Sequence, residues 1–338
     1  MDLYARVNVL DGRAVRLPRG DVNDAIALHN DPLGRVNNWF DQGADYVHVV
    51  DLDAAAFGDP KNRELIDSII DRARGPVQIA GGIRSHVEAA RLLDRGAWRI
   101  VMGTAAIEDQ NMVWDLCRDF PGQVAVSVDV RPDEEVATRG WTQNSGRYLE
   151  EVLIEMSSAG AAAFFVMAAG RDVLAEPANL KILSEALATV EEPVVAAGGA
   201  RDIEDLRKLV GLSIHGRRLS GLIVGREVTQ GRFTLKEARR LIAAGTEESS
   251  SDEVASRPIP RGRTTPPLLA DASSAFTKAA DLAEEAALAA RNAARLIQTG
   301  EDGAATSHAL AAKEALESAR EQLEAVARPD SVPVADNR

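Results

Sequence analysis

A single cysteine, Cys117, stands in the 338 residues. One thiol cannot close an internal disulfide or build a cysteine-rich metal cluster, and this scarcity fits a reducing, cytoplasmic setting. Long hydrophobic runs are missing as well. None approaches the ~20 apolar residues of a membrane span, and the opening MDLYARVNVLDGR lacks the apolar segment of a signal peptide. Basic residues are outnumbered, 39 Lys and Arg against 52 Asp and Glu, for a net charge of −13. That balance argues against nucleic acid as the main partner. No His, Cys, Asp and Glu cluster has metal-ligand spacing, so no metal and no cofactor is expected. A phosphate site in so acidic a chain must be made locally, from backbone amides or single arginines.

What the chain does have is an apolar content of 45%, organised in two styles. Up to about residue 244, short β-rich runs alternate with helical patterns. The runs are Ala5–Val9, Tyr46–Asp51, Val77–Ala80, Arg99–Met102, Val124–Val130, Ala163–Met167, Val194–Ala197 and Gly221–Val224. Between them lie stretches such as His86–Arg95 and Ile203–Val210, with apolar residues at helical spacing. Near-continuously apolar strands separated by helices read as parallel strands buried on both faces. Either a closed eight-stranded barrel or a doubly wound open sheet meets that description.

An internal repeat decides between them. Ala80-Gly-Gly-Ile-Arg84 precedes a helix with Val87-Glu-Ala-Ala-Arg-Leu-Leu93, and Ala197-Gly-Gly-Ala-Arg201 precedes Ile203-Glu-Asp-Leu-Arg-Lys-Leu209. Each block leads to a strand that ends at a glycine, Val101-Met-Gly103 and Val224-Gly225. The same features recur in the same order at strands 3 and 4 and at strands 7 and 8. A half unit used twice closes into eight strands, so residues 1–244 are expected to form one α/β domain, a (β/α)₈ TIM barrel; such barrels run to about 250 residues.

Beyond that point the composition changes. Residues 245–269, rich in Ser, Pro and charge, read as a flexible linker. Residues 270–328 are rich in Ala, the best helix former, and are broken at Thr299–Gly303, which predicts an α-helical hairpin. Residues 329–338 read as a disordered tail. The hairpin is either a solvated element or a module for self-association or for docking a protein partner.

Barrel chemistry gathers at the C-terminal ends of the strands, and phosphate commonly sits after strands 7 and 8. A phosphate needs a tight turn whose amides approach it and a helix N-terminus behind the turn. Gly198, Gly199, Gly225 and Arg226 supply one pair of such turns, and Gly81, Gly82, Gly103 and Thr104 supply the other. Two pairs facing each other across the barrel suit an elongated small-molecule ligand with a phosphate at each end. A Gly-Gly turn can also be plain turn geometry; the duplication favours the phosphate reading.

Further stretches carry a resemblance. They are Val9-Leu-Asp-Gly-Arg-Ala-Val-Arg-Leu17, His48-Val-Val-Asp-Leu-Asp-Ala-Ala55 with Gly58, Pro60 and Asn62, Met102-Gly-Thr-Ala-Ala106, Val126-Ser-Val-Asp-Val130 and Gly140-Trp-Thr142. With the glycine turns they span the first 244 residues in order. The chain resembles the histidine-biosynthesis barrel family (HisA/HisF), above all its phosphoribosyl-formimino isomerases, and among these the actinobacterial type that in some lineages also serves tryptophan biosynthesis. The added C-terminal region has no counterpart in that family.

The resemblance implies an Amadori rearrangement, in which an aminoaldose ring opens and a proton leaves carbon 2 to give an aminoketose. A base and an acid serve it, usually two aspartates, with no cofactor. The family's base position, at the end of strand 1, is Asn8 here, and an amide does not take up a proton near neutral pH. After strand 6, alignment on Asn179-Leu180 places Met167 and Ala168 where the family reads Thr-Asp. It places Asp172 on the second aspartate, with Val173 and Leu174 replacing Gly-Thr. Asp129 is kept at the end of strand 5. The turns are intact while the catalytic loops are altered, which reads as a barrel that binds a bis-phosphorylated phosphoribosyl ligand with lost or reduced isomerase activity. The alternative is an active isomerase using Asp129 and Asp172. Arg16, Arg19, Asp51 and Trp141 are candidate substrate contacts, Trp141 because the family covers its substrate with that group. Arginines beyond a strand are often merely exposed, and Asp51 can serve backbone amides. His48, inside strand 2, and Cys117, in a helix, read as packing residues.

Overall fold

Eight runs of β-branched and aliphatic residues become eight parallel strands: β1 (Asp2–Leu10), β2 (Tyr46–Asp51), β3 (Val77–Ala80), β4 (Arg99–Met102), β5 (Val124–Val130), β6 (Phe164–Ala168), β7 (Val194–Ala196) and β8 (Gly221–Val224). The structure is a computed structural model that describes residues 1–17, 22–169, 177–252 and Lys313. Each strand pairs with the next in sequence, and β8 pairs in parallel with β1, Asp2 opposite Gly221 and Ala5 opposite Val224. No strand of the ring is left with an open edge. The chain is a closed (β/α)₈ barrel, as the internal repeat predicts.

Successive side chains of a strand point to opposite faces, so a closed barrel sorts its residues into two cores. Leu3, Ala5, Val7 and Val9 of β1 face outward and join Trp39, Ile69, Leu92 and Leu116 from the surrounding helices. Each such fully buried aliphatic side chain contributes about 1.5–3 kcal/mol. Tyr4 points inward, meeting Ala80, Val101, Phe165, Val195 and Ile223. The same alternation sends Arg6 and Asn8 inward too. Cys117 is buried on the outer layer, and burial pushes its thiol up to about 11, so it packs as an inert apolar group.

The repeat extends to capping. Ser85 caps the helix His86–Asp94 by accepting from the Glu88 amide at 3.2 Å. Asp202, at the equivalent step, caps Ile203–Gly211 by accepting from the Glu204 and Asp205 amides, both at 3.0 Å. Two excursions absent from the sequence-based expectation also fall at equivalent places. Arg13–Arg16 pairs antiparallel with the end of β1, and Glu135–Thr138 pairs antiparallel with the end of β5. Each goes on to a second short strand, Ile26–His29 and Gln143–Tyr148.

The chain divides into two units, Met1–Ala255 and Ser256–Arg338. In the first, the last helix runs Leu235–Asp252, past residue 244 and through the start of the segment expected to be linker. Its anchored part, with Leu235 and Ala238 buried, supplies the costly nucleus, and extension into polar residues follows at little cost. The expected hairpin and tail lie outside the described residues, apart from Lys313. Among the described residues no helix is long and apolar enough to cross a membrane.

Candidate functional site at the C-terminal face of the barrel

The two halves meet at this face with matching strand ends. Arg6-Val-Asn-Val9 of β1 and Ser127-Val-Asp-Val130 of β5 occupy the same step of the repeat, which makes Asn8 and Asp129 counterparts. Asn8 stands opposite Val50, and Asp129 opposite Met167 of β6. The structure therefore brings Asn8, Asp129 and Met167 to one rim. Arg19 and Asp172, the other residues predicted there, lie outside the described residues.

Asp129 is the most distinctive group of the face. The Trp141 indole N–H donates to its Oδ2 at 2.8 Å, while its Oδ1 is buried with no hydrogen-bond partner among the described residues. Burial pushes its carboxyl above the ordinary carboxylate range, and the Trp141 hydrogen bond and the Arg6 guanidinium pull it back in part. Trp141 takes a left-handed φ of 70° next to Gly140. Its loop is fastened at two further points. Arg131 donates to the Trp141 carbonyl at 3.3 Å, and the Arg139 amide donates to the Thr104 hydroxyl at 2.8 Å. The loop after β5 thus reaches over the turn that follows β4.

Each Gly-Gly turn is demanded by a close approach. A Cβ on Gly81 would lie 2.3 Å from the Asp51 carbonyl oxygen, and one on Gly199 would lie 2.6 Å from Ala178, both at positive φ. Gly103 and Gly225 precede the short helices Thr104–Glu108 and Arg226–Thr229 as caps without a side-chain hydrogen bond to the helix start. A small cavity lies between the β6 end and the second Gly-Gly turn, lined by Met167, Ala168, Pro177, Ala178, Gly198 and Gly199.

Asp51 is tied into a polar network. It accepts from the Ala54 amide at 3.1 Å and from Asn62 at 2.8 Å, and burial pushes its carboxyl up. The Asn62 amide also donates to Asp53 at 2.7 Å, and Asp53 accepts from the Asp11 amide at 2.7 Å and pairs with Lys61 at 2.8 Å. These bonds hold the turn after β1 against the turn after β2. Arg16 sits at the end of the first excursion, half-buried, beside Ile26.

One layer below the rim, the barrel interior is polar. His48 is buried, stacked on Phe165 at 5.8 Å and bonded to Gln78 at 2.8 Å. Burial, reinforced by the Arg6 charge, pushes its pKa down to about 3 from an ordinary 6.5. The ring is neutral in the folded state, whereas the unfolded chain takes up its proton below 6.5. Unfolded molecules therefore bind more protons between those two values, and stability falls as pH drops through that window. We expect the unfolding free energy to decline by up to ~1 kcal/mol per pH unit from this group, with a shallower slope in His48→Phe. Urea titrations of both proteins between pH 7 and 4 check this; equal slopes would contradict it.

Arg6 and Glu227 were not singled out in the sequence. Arg6 donates to the Ala197 carbonyl at 3.2 Å, and buried Glu227 accepts from the Gly225 amide at 2.9 Å. The available signal was a charge two residues from Asn8 in an otherwise apolar strand, which alternation puts on the inward face.

A duplicated (β/α)₈ barrel with a recessed carboxylate and paired glycine turns at its C-terminal face carries its polar groups where barrels of this class build their active sites. The chain belongs to the family described as histidine biosynthesis protein, which it matches over residues 2–234. Similar proteins are 5-phosphoribosyl imidazole-4-carboxamide isomerases, whose full name carries two 5-phosphoribosyl groups. That of Cyanothece sp. is 38% identical over 245 residues, 72% of this chain and 94% of the relative. Those of Synechococcus elongatus and Trichodesmium erythraeum are 40% and 36% identical over the same length and shares.

Proposed function

We propose that the protein is an aldose–ketose isomerase acting on an aminoaldose with a phosphate at each end. The isomerases it is similar to support this reading, and so do the two facing pairs of glycine turns. The observation that carries it is Asp129, a half-buried residue with one carboxylate oxygen held by Trp141 and the other buried and, among the described residues, without a partner.

One phosphate would lie at Gly81, Gly82, Gly103 and Thr104, and the other at Gly198, Gly199, Gly225 and Arg226. The sugar then spans the rim between Asn8 and Asp129. Ring opening breaks the bond from carbon 1 to the ring oxygen, which gains a proton as the amine nitrogen loses one to become an imine. A proton then leaves carbon 2 while the nitrogen regains one, giving an enaminol. The carbon 2 hydroxyl then loses its proton to become the ketone as carbon 1 gains one. Net composition is unchanged, so no redox partner is required. A carboxyl raised above its ordinary range exchanges protons closer to neutral pH, which suits Asp129 to this shuttle. Asn8, as an amide, can orient the sugar by hydrogen bonds and leaves proton transfer to carboxylates, Asp129 and, from the resemblance, Asp172.

The test is turnover of the aminoaldose by the wild type and by Asn8→Asp, with binding measured on the same samples. We expect the wild type to turn over and the variant to gain about 10²-fold in kcat, the lower end of the range for a positioned acid–base group. Asn8 itself favours a second reading, a barrel that binds without turning over. Tight binding by the wild type, with turnover only in Asn8→Asp, would establish that second reading instead.

A further inference from the structure

The internal repeat exposes a difference between the two ends of the site. At the opposite end, where β4 pairs with β5, the counterpart of Arg6 is Ser127 and the counterpart of Glu227 is Ala105, because Ser127-Val-Asp129 matches Arg6-Val-Asn8 and Gly103-Thr-Ala105 matches Gly225-Arg-Glu227. A guanidinium and a carboxylate have thus been placed at one end where the other end has a hydroxyl and a methyl group.

Arg6 lies deep in the barrel and still reaches solvent, as a residue recessed at the floor of a concavity does. Its Cβ stands 3.6 Å from where a Cβ of Gly225 would be, and its guanidinium bonds the Ala197 carbonyl, the residue just before Gly198-Gly199. It therefore underlies both turns of this end. Glu227 and Asp129 lie near enough to act on its charge, yet neither closes an ion pair with it among the described residues. A guanidinium carries five N–H donors in a fork that matches oxyanions, and among the described residues one direct acceptor is provided. Glu227 meanwhile occupies the Gly225 amide, one of the donors a phosphate at this turn would need. Burial raises the Glu227 carboxyl above its ordinary range, consistent with a charge held out of water.

We propose that Arg6 is a specificity-determining ligand-binding residue, whose guanidinium receives an oxyanion of the ligand at the β7–β8 end while Glu227 competes for the same turn. The proposal rests on the reading of this face as a phosphate site, and it deepens that reading by making one end dependent on a side-chain cation. The two residues act with opposite signs: Arg6 attracts the anion, and Glu227 repels it and holds an amide the anion would use. A merely structural pair would instead lose stability on either substitution and leave anion affinity unchanged.

The experiment titrates inorganic phosphate into wild type, Arg6→Gln, Glu227→Gln and the double variant, following ³¹P resonances alongside Tm. The double variant keeps the interior charge balanced should Arg6→Gln alone fail to fold. We expect phosphate affinity at one site to fall by about tenfold or more in Arg6→Gln and in the double variant, the loss typical of a charged hydrogen bond. Glu227→Gln should tighten it severalfold. Wild-type affinity in both Arg6 variants would overturn the proposal, as would a wild type that binds no phosphate at the β7–β8 turns. These readouts need no turnover, so failure of the isomerase reading, judged by the aminoaldose assay, is registered separately.

Discussion

Asp129→Asn should lower kcat by 10² to 10⁴ while leaving the Kd for the aminoaldose within about threefold, the range lost when a positioned acid–base group is removed. The substitution keeps shape and lets an oxygen go on accepting the Trp141 N–H, so the rim stays assembled. What disappears is the capacity to take up and release a proton. Because burial raises this carboxyl, its loss should also remove the low-pH limb of the kcat profile. Steady-state kinetics with binding and Tm measured in parallel decide the matter. An unchanged kcat would transfer the role to another carboxylate, with Asp172 the next to be replaced.

The second large effect is on stability. Gly81→Ala sets a methyl 2.3 Å from the Asp51 carbonyl oxygen at a φ of 94°, a backbone region that side chains rarely adopt. Strain in φ contributes about 1–3 kcal/mol and the overlap with backbone a similar amount, for roughly 3–5 kcal/mol together. At about 2–4 °C per kcal/mol for a domain of this size, Tm should fall by about 10 °C or more. Gly211→Ala is the control, since its added methyl meets nothing within 4 Å and it ends the helix Ile203–Gly211, a conformation open to alanine. Thermal melts in which the two variants matched would show that the close approach at Gly81 is relieved elsewhere.

Much of this molecule could be read from the sequence, for identifiable reasons. The eight strands are short, apolar and separated by helical spacing, and the duplicated Ala-Gly-Gly blocks required closure rather than an open sheet. Glycines at β-strand ends marked the turns because only glycine tolerates the approach of Asp51 or Ala178. The interior charge was another matter. In a parallel strand both faces are covered by protein, so an apolar pattern does not reveal which face looks into the barrel. Arg6 was passed over within β1, and Glu227 within a four-residue helix that periodicity cannot detect. The paired excursions after β1 and β5 were also missed. Their strands run only four to six residues, and they exist because β1 and β5 continue past Ala5 and Val126, where pairing with the preceding ring strand stops, and so leave their last residues a partner to offer.

The Gly-Gly turns lean on their own halves, Gly81 and Gly82 on residues 51–54 and Gly199 on Ala178. Neither borrows its support from the opposite side of the barrel. Divergence can therefore proceed at one end of the face without unsettling the scaffold beneath the other. The charged pair at the β7–β8 end, facing a neutral pair at its counterpart, is what such freedom would leave behind. A duplicated barrel is in this sense built in two separable supports, so that damage to one turn should be felt at its own end of the face and leave the other end assembled.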